Sequence, residues 1–504
     1  MAAELNADVV GDHNDWKAKA ALRARHHVMR ATDSRDEPNE LVKGLESLRI
    51  SGDFQSLESA AKRIHQIGPI EVLTEAVNNI PVAGWTHTTA QANLQLLAAA
   101  GDLLEAEKAT CLLNWCAQLA SGEIAEFTEQ VRPWFWVEYL ATRAIAGLLT
   151  AAEDSVHDEV GTLLARQFGP EATIPIVDLN NVFEHLDYDR VNPATRESLW
   201  ALAQRTDSHH GVAALRWLAA NSHELALSEA INRAALRDLQ TLPAVFAADP
   251  SQIDEDSAKL LIDWFEEMTE TRLAAARQRR YAFGGYDGAR LLTNFNLLFP
   301  QFGRWKAILE LLREPLVDSR TKRNSCALLA IRAADIPIVV RDAIAREIDT
   351  ISQAAPVYGD EPGIGGIGVM LKTGFETIGG DQATSQATQL AFGSRRDRED
   401  AALLLGSGQC PGIQPILAAL AADQRFSVRR SVATATGKLV STDPNSLITA
   451  LAWKLANDQG SGLPAALLNG MLQTGQQTPA SVDIAQHLRQ HPSAQIKRTA
   501  QRFP

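Results

Sequence analysis

Apolar residues recur along most of the chain at spacings of three and four positions, which is the period of an amphipathic α-helix. The clearest apolar stripes are formed by Leu112, Trp115, Cys116 and Leu119 and by Trp136, Tyr139, Leu140 and Ile145. Strand-like alternation is scarce, and the apolar run 336–340 is too short to assign to helix or strand. The pattern predicts an all-α protein whose helices are short, because Gly, Pro, Asp and Asn interrupt them.

Two C-terminal segments share one layout, in which a polar turn residue stands five positions before a β-branched residue that opens an amphipathic helix. The first segment places Asp423 before Val428, and the second places His491 before Ile496. A looser third copy begins at Asp207. In the first segment the positions expected to be buried are Val428, Val432, Ala435 and Leu439.

The turn aspartate, the Val428-Arg429 pair and the following helix of small apolar residues resemble the inner half of a HEAT repeat. The resemblance is clearest over about 410–440 and 479–502 and looser over 195–222. It implies an irregular α-solenoid, in which helical hairpins stack because each buries its apolar face only against its neighbours. Families of this kind usually act as scaffolds through a long concave surface. A few of them, including base-excising glycosylases, bind nucleic acid.

A chain of 504 residues exceeds the size at which one hydrophobic core keeps growing, so we expect several domains or a repeat array. The segment 356–380 contains eight glycines, and we interpret it as a loop or insertion. It would separate an acidic N-terminal helical domain, residues 1–355, from C-terminal HEAT-like repeats, residues 381–504.

Composition excludes several classes of protein. Apolar residues make up 45% and charged residues 22% of the chain, which is the balance of a globular protein. Four cysteines in 504 residues exclude a disulfide-stapled scaffold. The first residues lack the basic start and apolar core of a secretory signal, and Pro or polar residues break the charge-free windows 401–422 and 459–482. We expect a cytoplasmic protein with no membrane contact.

Charge is distributed unevenly along the chain, whose formal net charge is −13. Residues 271–504 carry 27 basic and 19 acidic side chains, whereas residues 1–270 carry 21 basic and 42 acidic ones. This asymmetry indicates either an anionic partner for the C-terminal part or head-to-tail self-association, although two simply solvated halves would give the same counts.

The most site-like sequence is the basic and aromatic segment 277–290, together with residues 304–306. Four arginines, two tyrosines and a Gly-Gly turn could grip phosphate and stack a base or nucleotide. The alternative is a helix–loop–helix connection whose basic end answers the helix macrodipole. The candidate binding residues of this region are Arg279, Arg280, Tyr281, Tyr286, Asp287, Arg290, Arg304 and Trp305.

Basic residues also recur on the repeat helices, at Arg425, Arg429, Arg430, Lys497 and Arg498. Equivalent positions line one face of a HEAT stack, so these residues would form a ladder along a phosphate backbone. Alternatively, an arginine holds the turn aspartate of a neighbouring repeat, and Asp423 with Arg429 would form such a pair.

No complete catalytic signature is present, so the sequence predicts no particular reaction. The glycine pattern 363–368 lacks the preceding strand of a dinucleotide site, and His487 and His491 lack a third zinc ligand. We therefore expect no cofactor and no metal.

The favoured function is a non-enzymatic scaffold that binds a protein partner through its concave surface, within a larger complex. One alternative is a nucleic-acid-binding or nucleic-acid-processing protein that grips phosphates through residues 271–504. Another is an enzyme with an unfamiliar site near Arg280 and Asp287.

Overall fold

The computed structural model describes residues 54–120, 134–167, 179–205, 209–236, 241–247, 252–279, 299–315, 319–354, 365–408 and 412–503, with a few single residues between these ranges. Within these ranges the regular elements are all helices, and no strand is formed. The predicted all-α fold class is confirmed.

Helices of the N-terminal part, numbered among the described residues, are α1 (Phe54–Ile67), α2 (Ile70–Asn78), α3 (His87–Ala100), α4 (Ala106–Ala120), α5 (Trp134–Leu149), α6 (Ser155–Gln167), α7 (Leu179–His185), α8 (Pro193–Ala203), α9 (His209–Ala220), α10 (Glu224–Ala235), α11 (Leu242–Ala247) and α12 (Glu255–Arg279). Short 3-10 turns form at Gly101–Leu103, Tyr188–Arg190, Pro300–Phe302 and Ala333–Asp335.

Helices of the C-terminal part are α13 (Trp305–Arg313), α14 (Ser319–Ile331), α15 (Ile338–Ala354), α16 (Gly365–Gly374), α17 (Gly380–Ala391), α18 (Arg395–Leu405), α19 (Gln414–Leu420), α20 (Phe426–Thr442), α21 (Ser446–Ala456), α22 (Gly462–Thr474), α23 (Pro479–Leu488) and α24 (Ala494–Gln501). The apolar run 336–340, which the sequence left unassigned, leads into the start of α15.

Side-chain caps fix where several helices begin, because the first N–H groups of a helix have no partner inside it. At α18, the Ser394 hydroxyl accepts a hydrogen bond from the Asp397 N–H at 3.2 Å, and the Asp397 carboxylate accepts one from the Ser394 N–H at 2.9 Å. Thr86 and Thr478 cap α3 and α23 in the same reciprocal way. These boundaries are therefore set by local sequence.

The helices stack in two layers, and the order of contacts along one layer returns to its start. In the N-terminal part α1, α3, α5, α7, α9 and α11 contact one another in sequence, and α14, α16, α18, α20 and α22 do so in the C-terminal part. Helices α12, α13 and α15 link the two series. Helix α22 then contacts α1, and α24 contacts the turn Gly101–Leu103. This stacking is compatible with the expected α-solenoid, while the likeness to HEAT repeats stays a prediction.

We call the layer formed by α1, α3, α5, α7, α9, α11, α14, α16, α18, α20 and α22 the inner layer. Glycine lets neighbouring helices of this inner layer approach closely. A Cβ atom on Gly437 of α20 would lie 2.1 Å from the main-chain oxygen of Leu467 on α22. One on Gly470 of α22 would lie 2.1 Å from the oxygen of Thr434 on α20. Gly147 of α5 meets α3 in the same way, at 2.2 Å. No side chain fits at such distances, so these contacts depend on glycine.

The predicted glycine-rich loop is wrong for the residues that form α16, while residues 355–364 lie outside the described ranges. Gly366 is buried, and a Cβ atom there would lie 2.2 Å from Cβ of Asp400 on α18. Glycine in this segment therefore provides a close helix–helix contact, which the sequence reading took for loop flexibility.

Buried apolar side chains form one cluster between residues 57 and 375 and a second between residues 369 and 503. The stripe predicted at Val428, Val432, Ala435 and Leu439 is buried, as is Cys116. A buried ion pair between Arg323 of α14 and Asp400 of α18 links the two regions, with Nη1 and Oδ2 3.0 Å apart. Burial raises the pKa of the Asp400 carboxyl, and the guanidinium offsets part of that rise. The proposed division into domains stays a prediction.

We expect Gly437→Ala to destabilise the protein, although alanine favours helix over glycine by about 1 kcal/mol. The added methyl group must push α20 away from α22, and overpacking of this kind costs roughly 1–3 kcal/mol. The unfolding midpoint, followed by circular dichroism, should fall. Gly379→Ala is a control for overpacking, because a Cβ atom there meets nothing within 4 Å, and at the N-cap of α17 it should lower the midpoint only through the weaker cap. An unchanged or higher midpoint for Gly437→Ala would contradict the role of glycine in this contact.

Candidate functional site

The seam is the contact that α1, the turn 101–103 and the end of α5 make with α20, α22 and α24, at which the described stack returns to its first described helix. Main-chain hydrogen bonds cross it from Ser461 N to His65 O at 2.8 Å and from Ile70 N to Gln459 O at 3.2 Å. Gly68 begins the turn between α1 and α2 with φ of +83°, and a Cβ atom there would lie 2.7 Å from Gln459. Only glycine both adopts a positive φ without strain and leaves room for Gln459 at this position.

A buried polar cluster joins the two sides of the seam. His65 of α1 contacts Ser461, which precedes α22, with 2.6 Å between Nδ1 and Oγ. Its Nε2 lies 2.9 Å from a carboxylate oxygen of Asp102 in the turn 101–103. The other oxygen of Asp102 accepts a hydrogen bond from the hydroxyl of Ser493, which caps α24. Four side chains from four elements thus satisfy one another away from water.

The residue types of this cluster occur in serine hydrolases, but its geometry favours a structural role. The Ser461 hydroxyl lies 2.8 Å from the main-chain oxygen of His65, which competes with the imidazole for its proton, whereas a nucleophilic serine gives that proton to the imidazole. Burial alone would raise the pKa of the Asp102 carboxyl. The charge of His65 and hydrogen bonds from His65 and Ser493 outweigh that effect, so the pKa is lowered.

The central cavity lies beside this cluster and has a volume of about 570 Å³. Small residues on α3, α5 and α22 form much of its wall, namely Ala98, Ala99, Ala146, Gly147, Ala465 and Ala466. Four exposed side-chain amides project from α1, α22 and α24, namely Gln66, Asn469, Gln473 and Gln495. Two cations, Lys62 and Arg430, also line the cavity.

The flanking pocket, of about 410 Å³, shares Thr150, His185 and Gln495 with the central cavity and continues it along the seam. Its aromatic lining is Phe183, Tyr188 and Trp217. The ring centroid of Trp217 lies 5.7 Å from that of Phe183 and 5.2 Å from that of Tyr188. Its indole N–H donates to the Leu186 oxygen at 2.9 Å. Three arginines, Arg216, Arg498 and Arg502, also line the pocket.

Most of the candidate segment 277–290 cannot be placed. Arg280, Tyr281, Tyr286, Asp287 and Arg290 lie outside the described residues, and only the main chain of Arg279 is described, at the end of α12. Arg304 is engaged structurally, because it forms ion pairs with Asp263 and with Glu266 of α12. Trp305 is buried at the start of α13. Neither residue lines the central cavity or the flanking pocket.

The candidate arginines of the repeat helices divide between structural and cavity positions. Arg429 is buried and donates to the main-chain oxygens of Asp423 and Gln424 at 2.7 and 3.0 Å. The Asp423 carboxylate accepts a hydrogen bond from Arg398 of α18, at 2.6 Å. The suggested pair of Asp423 with Arg429 stays a prediction for the two side chains, while the Arg429 guanidinium binds the main-chain oxygen of Asp423.

Arg430 lines the central cavity and Arg498 the flanking pocket, where Arg498 also donates to the Leu149 oxygen at 3.3 Å. Arg425 is exposed and Lys497 is half-buried, and both lie outside these cavities. Sequence reasoning missed His65, Asp102 and Ser461. No local motif marks them, because the residues that meet are separated by as many as 396 positions.

Comparisons with known proteins leave the family open. No protein-family model matches the chain. No curated protein matches it either. Among solved structures, the chain is similar to the crystal structure of SYS-1, with 10% sequence identity and a TM-score of 0.22. That alignment covers 97% of this chain and 99% of the other.

The described residues provide neither a membrane-spanning helix nor a metal site. None of the described helices is both long enough and apolar enough to cross a membrane. No group of three His, Cys, Asp or Glu side chains there is arranged to hold a metal ion. His487, considered earlier as a zinc half-site with His491, contacts the Asn457 side-chain oxygen at 3.0 Å.

Two other histidines, His157, which is buried, and His491, which is half-buried, act as hydrogen-bond acceptors. Nδ1 of His157 accepts from the Asp187 N–H at 3.2 Å, and Nδ1 of His491 accepts from the Ser493 N–H at 3.0 Å. Protonation would abolish both contacts. Burial and the charges of Arg498 and Arg190 lower the pKa of His157 to about 4. Burial and the charge of His65 lower the pKa of His491 to about 4.

We therefore predict that stability falls as pH decreases from about 6.5 to about 4. In that window the unfolded imidazoles bind protons and the folded ones do not, so acid favours unfolding. The loss should be on the order of 1–2 kcal/mol per histidine by pH 5. Urea unfolding at several pH values measures it. The variant His157→Asn/His491→Asn keeps an acceptor without titrating and should flatten the dependence. If the unfolding free energy of the variant fell with decreasing pH as steeply as that of the wild type, the assignment of this pH dependence to His157 and His491 would be contradicted.

Proposed function

We propose that this chain is a non-enzymatic helical-repeat scaffold of the HEAT-like type. Its partner would be a protein that inserts an extended segment into the central cavity along the seam. The scaffold would act as a subunit of a larger complex. The observation that carries this proposal is the set of side-chain amides that face the cavity.

The amides of Gln66, Asn469, Gln473 and Gln495 are exposed in the cavity and make no hydrogen bond to any other described side chain or main-chain group. A side-chain amide offers both a donor and an acceptor, as does the main chain of an extended peptide. The alanines and glycines beside them leave room for a backbone to approach. The cavity therefore suits a peptide main chain in hydrogen-bonding capacity.

The cations of residues 271–504 support the protein-binding proposal over the nucleic-acid alternative. A phosphate-binding surface needs arginines and lysines that are free to face the ligand. Among the described residues, many pair with acids of neighbouring elements, namely Arg277 with Glu314, Arg304 with Asp263, Arg313 with Glu347, Arg323 with Asp400, Lys372 with Asp349 and Arg398 with Asp423. Much of the positive charge counted in the sequence is therefore neutralised within the stack.

Photo-crosslinking from inside the cavity tests this proposal. A benzoylphenylalanine at position 469 of α22 should give an adduct in native lysate that protease removes and nuclease does not. The matched control is the same group at Leu447, which is 62% exposed on α21 and lies outside the cavity. A synthetic peptide from the crosslinked segment should compete with the adduct.

Two results would contradict the proposal. Equal yields at positions 469 and 447 would show that the cavity has no special affinity for protein. A nuclease-sensitive adduct at position 469 would favour the nucleic-acid alternative. The variant Gln66→Leu/Gln473→Leu, which removes two of the cavity amides without adding bulk, should reduce a genuine adduct several-fold while leaving the circular dichroism spectrum unchanged.

A further inference from the structure

The flanking pocket combines an aromatic wall with arginines whose charge is incompletely neutralised. The side chain of Arg502 is exposed and forms no hydrogen bond or ion pair with the described residues. Arg216 is only loosely paired, at 3.4 Å from Glu184, and both side chains are largely exposed. Arg498 uses one nitrogen on the Leu149 oxygen and keeps further donors.

Arginines and acids both lie near Arg498 at this end of the seam. Burial and the charges of Arg190 and Arg502 lower the pKa of Arg498, while the charges of Asp187 and Asp154 act in the opposite direction. The nearby acid Asp187 is itself paired with Arg190, at 3.2 Å. In a chain whose formal net charge is −13, a pocket lined by three arginines and two acids, Glu184 and Asp187, is a local reversal of sign.

We propose that the flanking pocket binds an anionic side chain, a carboxylate or a phosphate, of the partner segment whose main chain lies in the central cavity. Guanidinium groups bind both kinds of oxyanion through paired hydrogen bonds. The aromatic wall formed by Tyr188 and Trp217 would pack against the aliphatic part of that side chain. Because the two cavities share Thr150, His185 and Gln495, one extended segment can occupy both. This inference rests on the proposed protein-binding function.

Crosslinking to random peptide pools tests it without a known partner. Benzoylphenylalanine is placed at Ala220, an exposed residue that lines the flanking pocket, and separately at Asn469 in the central cavity. The full-length protein is exposed to an unmodified pool and to a pool containing phosphoserine, and the captured peptides are sequenced. Captured peptides should be enriched about tenfold in Asp and Glu, in phosphoserine, or in both, because charge-assisted hydrogen bonds contribute roughly that factor.

The rim variant Arg216→Gln/Arg502→Gln should abolish this enrichment, whereas Arg346→Gln, an exposed arginine of α15 outside both cavities, should preserve it. Enrichment of only one anion identifies the carboxylate or the phosphate as the ligand. Capture at both positions with no enrichment, or with enrichment that survives the rim variant, overturns the inference and leaves the protein-binding function standing.

Absence of peptide at position 469 would instead count against the proposed function itself. A third pool, of random single-stranded DNA, covers the remaining outcome. If DNA is captured at position 220 and the rim variant abolishes this capture, the flanking pocket binds nucleic acid, and the proposal that it binds an anionic peptide side chain is wrong. The unfolding midpoint of each variant is measured alongside, so that loss of fold is not counted as loss of binding.

Discussion

The fold depends on how closely the inner helices can approach one another. Gly147, Gly437 and Gly470 each place a helix against the main chain of its neighbour at a distance that excludes any side chain. Contacts this short bring many weakly attracting atoms together, which compensates for the small apolar area that glycine and alanine bury.

The seam is where parts of the chain that are distant in sequence meet. Its main-chain hydrogen bonds and the cluster of His65, Asp102, Ser461 and Ser493 require that buried polar groups find partners across the gap. A polar group buried there without its partner costs more than the hydrogen bond contributes, so the cluster selects one relative position of the two sides. The central cavity has a defined shape because that position is defined.

Sequence reasoning recovered what is encoded locally. Periodicity located the helices, and the stripe through Val428 and Leu439 is buried as expected. It failed for α16, because a glycine-rich segment can form either a loop or a closely packed helix. The composition alone does not distinguish these two structures. Sequence reasoning suggested Arg429 as the arginine that holds Asp423, and it did not find that Arg398 of α18 binds the Asp423 carboxylate. The seam could not be predicted from the sequence, because no residue near His65 indicates that Ser461 will contact it.

Closure of the stack also restricts how such a protein can change over evolutionary time. An open array of helical hairpins gains or loses a unit with little effect on the rest, because each unit touches only those beside it. Here α1 and α22, the inner helices that meet at the seam, face each other in a single register. Duplication of one hairpin between them would carry Ser461 away from His65 and Ser493 away from Asp102, although His65 and Asp102 would still contact each other. We therefore expect the number of units between α1 and α22 to vary less than the outer helices and the turns.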